Sequence, residues 1–126
     1  MTLAETMAAI EQEEFAVEMN LAAGTKAFRR AIREHELFHR LSELAKENPS
    51  EVAGRIEAIS RIEVDERYEN RFDTALSVYL MVLSDVAEPE VASKASQAVL
   101  RTPKIWWASG VAQELLLQPV AEGVRK

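Results

Sequence analysis

Asn70-Arg-Phe-Asp-Thr-Ala-Leu-Ser-Val-Tyr-Leu-Met-Val-Leu-Ser84 is the stretch that decides the fold. Phe72, Ala75, Leu76, Tyr79, Leu80 and Leu83 recur at the spacing of one helix face. Val78, Met81 and Val82 form a second apolar strip on another side. A helix that is apolar nearly all round must be covered by neighbours on several sides. The spacing therefore predicts a hub helix, capped by Asn70 and carrying Asp73 at its third position, where a negative charge meets the positive helix end.

The rest of the chain supplies the covering helices. Upstream, Leu3, Met7, Ile10, Val17 and Leu21 predict one helix over Thr2 to Ala23, with Glu11, Glu14 and Glu18 as an acidic stripe. Ala23-Gly24-Thr25 is a break in which glycine takes a left-handed cap and threonine caps the next helix. That second helix is expected from Lys26 to Glu47, with Phe28, Ala31, Phe38, Leu41 and Ala45 on its core side. Its basic cluster, Lys26, Arg29, Arg30 and Arg33, is expected to lie against Glu14 and Glu18 of the first helix in an αα-hairpin. Asn48-Pro49-Ser50-Glu51 offers an N-cap, a proline at the first helical position and a glutamate at the third. The helix it opens carries Val52, Ile56, Ile59 and, near its end, Ile62.

Residues 63–69 show no helical face and read as an exposed connector, with Tyr68 as its anchor to the core. Downstream of the hub, Glu88-Pro89 starts a fifth helix with Val91, Ala92, Ala95, Ala98 and Val99 on one side. Thr102-Pro103 is expected to open a sixth from Lys104 to Gln118, stopped by Pro119. The result is an all-α domain of about six helices, residues 1–62 packed on a C-terminal array over 70–119. The short C-terminal helices, rich in small and branched residues, resemble HEAT or armadillo packing in architecture alone. No repeat consensus accompanies them.

Composition limits the function. The 126 residues carry a net charge of −6, which disfavours nucleic acid held through a general electrostatic field. The chain has no cysteine, so disulfides, thiolate zinc sites and cysteine nucleophiles are excluded. The apolar run Val78 to Leu83 is too short to span a bilayer, and no signal peptide is visible at the N-terminus. A cytoplasmic protein is the expectation.

One motif carries chemistry. His35-Glu36-Leu37-Phe38-His39 matches H-E-x-x-H, in which two histidines four apart on a helix share a zinc ion and the glutamate acts as general base. The charged flanks Arg33, Glu34 and Arg40 differ from the apolar frame of a zincin, and Arg33 and Arg40 are helical neighbours for Glu36. A third zinc ligand would have to come from an abundant carboxylate such as Glu57 or Glu63. Glu36-x-x-His39 is also half of a ferritin-like di-iron pattern, whose second half is absent because the chain has two histidines.

The other distinctive stretch is Lys104-Ile105-Trp106-Trp107-Ala108. On a helix, Ile105, Ala108, Ala112, Leu115 and Leu116 share one face. Trp106 falls opposite with Gly110, Gln113 and Leu117, and Trp107 lies at the flank. Trp106, Trp107 and Leu117 are therefore the candidate binding residues, since exposed tryptophan is enriched in interfaces. The expected function is a non-catalytic helical protein–protein interaction protein, an adaptor, a regulatory subunit, or an inhibitor or immunity-type protein. Its partner would be another protein or a second copy, with no nucleic acid, membrane or cofactor. The alternative is a zinc-dependent hydrolase using His35, Glu36 and His39.

Overall fold

The computed structural model describes residues 1–62, 69–102, 105 and 107–125, with backbone alone at 69 and 117–125. Eight helices are described, in the order α1 (Leu3–Ile10), α2 (Glu13–Met19), α3 (Thr25–Glu34), α4 (Glu36–Ala45), α5 (Pro49–Ser60), α6 (Glu69–Val86), α7 (Pro89–Leu100) and α8 (Trp107–Arg125). No strand occurs among the described residues, and the all-α expectation is met.

The hub is α6. Every residue from Phe72 to Leu83 is buried, because α2, α4, α5, α7 and α8 all pack on it. A single apolar cluster runs from Leu3 in α1 to Leu115 in α8. At roughly 0.8 kcal/mol per buried methylene, this cluster supplies the main driving force for folding. Around the hub, α5 buries Val52, Ile56 and Ile59, and α7 buries Ala92, Ala95, Ala98 and Val99. The small residues let α7 lie close against α8 and α6, its neighbours in the array.

Eight helices replace the expected six because two long helices break. The first break is at Glu11 and Gln12. Gln12 is extended (φ −77°, ψ 149°) and caps α2. Glu11 is drawn into the core by Arg55 and by the Tyr79 hydroxyl. The chain turns there, so Phe15, Ala16 and Met19 of α2 face inward. Val17 and Leu21, expected on the core side, point outward instead. The second break is at His35, extended at φ −76° and ψ 139°. Its Nδ1 accepts the Leu37 N–H at 3.0 Å and caps α4, which satisfies one of the donors a helix start leaves open.

The expected caps are partly reassigned. Gly24, at φ 94°, is itself the N-cap of α3, and Thr25 is already helical. Asn70 lies inside α6 rather than at its start. Thr102 closes α7 instead of opening the next helix, its hydroxyl donating to the Ala98 carbonyl at 3.0 Å. Helix α8 begins at Trp107 and is capped across space. Asp73 of α6 accepts from the N–H groups of Trp107 at 3.0 Å and Ala108 at 2.9 Å. Helix α8 also continues past Pro119 to Arg125; proline forfeits one backbone hydrogen bond, but its φ is compatible with a helix. Pro103, Lys104 and residues 63–68 of the expected connector over 63–69, Tyr68 among them, lie outside the described residues, and Glu69, its last residue, already belongs to α6.

Candidate functional site

The histidine motif is not one continuous helix. His35 stands at the α3–α4 break and His39 lies inside α4. Both nitrogens of His35 face protein groups. Nδ1 takes the Leu37 N–H, and Nε2 lies 3.2 Å from Glu18 Oε2 on α2. The first interaction requires Nδ1 to be unprotonated, so Nε2 carries the proton that faces Glu18. The ring also packs edge-on to Phe15, with centroids 5.0 Å apart. Glu36 pairs with Arg40 at 3.1 Å on an exposed surface, as the four-residue spacing requires. Among the described residues, no group of three or more His, Asp or Glu side chains is placed to hold a metal ion.

The basic cluster is neutralised by different partners from those expected. Arg29 pairs with Glu114 of α8, and Arg33 pairs with Asp85 of α6 at 3.1 Å. Glu14 takes no part, and Glu18 is engaged by His35. The reason is the turn at Glu11 and Gln12, which orients α2 independently of α1. Helix α3 can then reach the C-terminal array with its arginines. Lys26 and Arg30 remain exposed, with no ion pair to a described residue.

Trp107 is used inside the molecule. Its indole stacks on Phe28 at a centroid distance of 4.3 Å and an interplanar angle of 14°. Its Nε1–H donates to Asn20 Oδ1 at 2.8 Å, which satisfies the polar end of a half-buried tryptophan. Asn20 in turn donates to Thr74 Oγ1 at 3.0 Å and to the Ala16 carbonyl at 2.6 Å. Trp107, Asn20 and Thr74 thus tie α8, the end of α2 and the hub together. Trp106 and the side chain of Leu117 lie outside the described residues.

A buried polar set joins α1, α5 and α6. Arg55 Nε donates to Glu11 Oε2 at 2.9 Å, and a second guanidinium nitrogen reaches Oε1. The Tyr79 hydroxyl donates to Glu11 Oε2 at 2.6 Å, with the Met7 carbonyl at 3.1 Å as a second acceptor. Burial, then the charge of Glu11, pushes the Tyr79 pKa far above the ordinary tyrosine range. The hydrogen bond to Glu11 raises Arg55. Each member is satisfied by the others, so the set reads as a structural clamp.

Among the described residues, the two most exposed large apolar side chains that lie together are on the outward side of α2 and in the turn after it. Leu21 is 80% exposed and Val17 54%, whereas the large apolar residues of α4 and α5 facing the hub are buried. Glu13, Glu14 and Glu18 surround the pair and share with it one shallow depression. Glu13 and Glu14 enter no ion pair with a described residue. The sequence reading missed this surface because Val17 and Leu21 continue the spacing of Leu3, Met7 and Ile10. A signal was present in Phe15 and Met19, also four apart and together larger. Comparison with protein-family models, with curated proteins and with solved structures finds no match for this chain.

Proposed function

We propose that this chain is a non-catalytic helical protein–protein interaction protein, and that the outward face of α2 is its docking surface. One observation carries the reading: Val17 on α2 and Leu21 in the turn just after it lie side by side in solvent, while the opposite face of α2 is packed against the hub. Full burial of a valine or leucine side chain contributes about 1.5–3 kcal/mol, and Val17 and Leu21, 54% and 80% exposed, forgo the larger part of it. A partner that covers them recovers this term. Cysteine is absent and no described helix is long and apolar enough to cross a membrane; both are compatible with a cytoplasmic setting.

Photo-crosslinking in the native cell tests the reading. A photoreactive residue at Leu21 is expected to give one dominant adduct, and the same residue at exposed Lys26 is not. The protein in that adduct, once purified, is expected to bind the wild type and to lose at least about tenfold in affinity for Leu21→Asp. Scattered adducts, or equal binding by Leu21→Asp, would refute the assignment.

A further inference from the structure

We infer that the occupant of this face is an amphipathic helix whose apolar residues are flanked on both sides by lysine or arginine. The inference rests on the docking role proposed for α2 and adds the chemistry of the partner.

The first argument is charge. Glu5, Glu11, Glu13, Glu14 and Glu18 precede the first basic residue, Lys26, so the N-terminal segment is wholly acidic. Three of these charges are already used. Glu5 closes the capping box of α1 with Thr2, Glu11 is clamped by Arg55, and Glu18 faces His35. Glu13 and Glu14 remain, both exposed and both beside Val17 and Leu21.

The second argument is placement. At about 100° per residue along α2, Glu13 falls on one side of Val17 and Glu14 and Glu18 on the other, and all three share one depression with Val17 and Leu21. An apolar strip bordered by acid on both flanks matches a strip bordered by base on both flanks. Opposite charges across the rim favour encounter and fix register, while a neutral or acidic helix gains only the apolar contact. Val17 on α2 and Leu21 in the turn that follows make a short apolar step. The apolar side chains of an amphipathic helix, spaced three and four apart, cover such a step with its polar flanks at the rim.

A second copy of this chain is the less favoured occupant. The α2 helix of a second copy carries only acidic charges, Glu13, Glu14 and Glu18, so pairing two such faces brings no basic flank to either.

Three fluorescently labelled helical peptides test the inference. They share a leucine strip at helical spacing and differ only in flanking lysine, glutamine or glutamate. The lysine peptide is expected to bind the full chain at least about tenfold more tightly than the glutamine peptide, and more weakly as salt rises. Leu21→Ser is expected to abolish binding of the lysine peptide, and Glu13→Gln with Glu14→Gln to bring it to the glutamine level. Circular dichroism of these surface variants checks that the fold is intact.

Equal binding of all three peptides, lost in Leu21→Ser, would overturn the basic partner while leaving the docking role standing. Lysine-peptide binding unaffected by Leu21→Ser, or no binding of any peptide, would overturn the inference. Sedimentation showing a dimer of the free protein that Leu21→Ser dissociates would overturn it in favour of a second copy.

Discussion

Tyr79→Phe removes one hydroxyl from the centre of the molecule, and its effect should depend on pH in a defined direction. The ring is fully buried and the hydroxyl donates to Glu11 at 2.6 Å. A hydrogen bond to a charged acceptor contributes about 1.5–3 kcal/mol. Phenylalanine fills nearly the same space, and Arg55 still holds Glu11, so the loss at neutral pH should be near the lower figure. In the folded protein the Tyr79 pKa is raised far above its ordinary value, first by burial and then by the Glu11 charge. A raised folded pKa means that the contribution is complete below the unfolded value, about 10, and declines as pH climbs beyond it. The unfolded chain then ionises while the folded one does not, which costs the wild type about 1.4 kcal/mol per pH unit. Phenylalanine has no such term. Urea unfolding followed by circular dichroism, with Tyr68→Phe in both proteins so that Tyr79 is the one tyrosine under test, should show the wild type ahead by about 1.5–2 kcal/mol near neutrality. That lead should nearly vanish by about pH 11. A difference that stays constant across this range, or no difference near neutrality, would refute the account of the buried set.

The long-range cap of α8 by Asp73 gives a second test. Asp73→Ala should lower stability by about 1–2 kcal/mol, read from the melting temperature, with hydrogen exchange rising first at the amides of Trp107 and Ala108. Gly24 adopts φ 94° with open space around its missing Cβ, so Gly24→Ala should cost about 1–3 kcal/mol through backbone strain alone; unchanged denaturant unfolding would contradict this. Elemental analysis of the purified protein is expected to find no stoichiometric zinc, since both nitrogens of His35 face Leu37 and Glu18. One equivalent of zinc, lost in His39→Ala, would restore the hydrolase reading.

The helical class, the hub and most of the core were determined by the sequence alone. Phe72 to Leu83 reads as a helix needing cover on several sides, and each of its residues is buried. Phe28, Phe38 and Leu41 face inward as their periodicity requires, and the starts at Pro49 and Pro89 come from local proline chemistry. These are properties of neighbours within a turn or two. The remainder depended on residues far apart in the chain. Glu11 looks like one member of an acidic stripe until Arg55 and Tyr79 draw it inward. Asp73 belongs locally to α6 yet caps α8. His35 belongs to a helical motif until its imidazole caps α4 and meets Glu18. Each breaks or starts a helix through a partner that periodicity does not encode. The break at Glu11 and Gln12 in turn rotates α2 and puts Val17 and Leu21 into water. The exposure of Val17 and Leu21 is therefore a product of tertiary contacts, because a buried charge must find its counterion and the chain turns where that pairing requires.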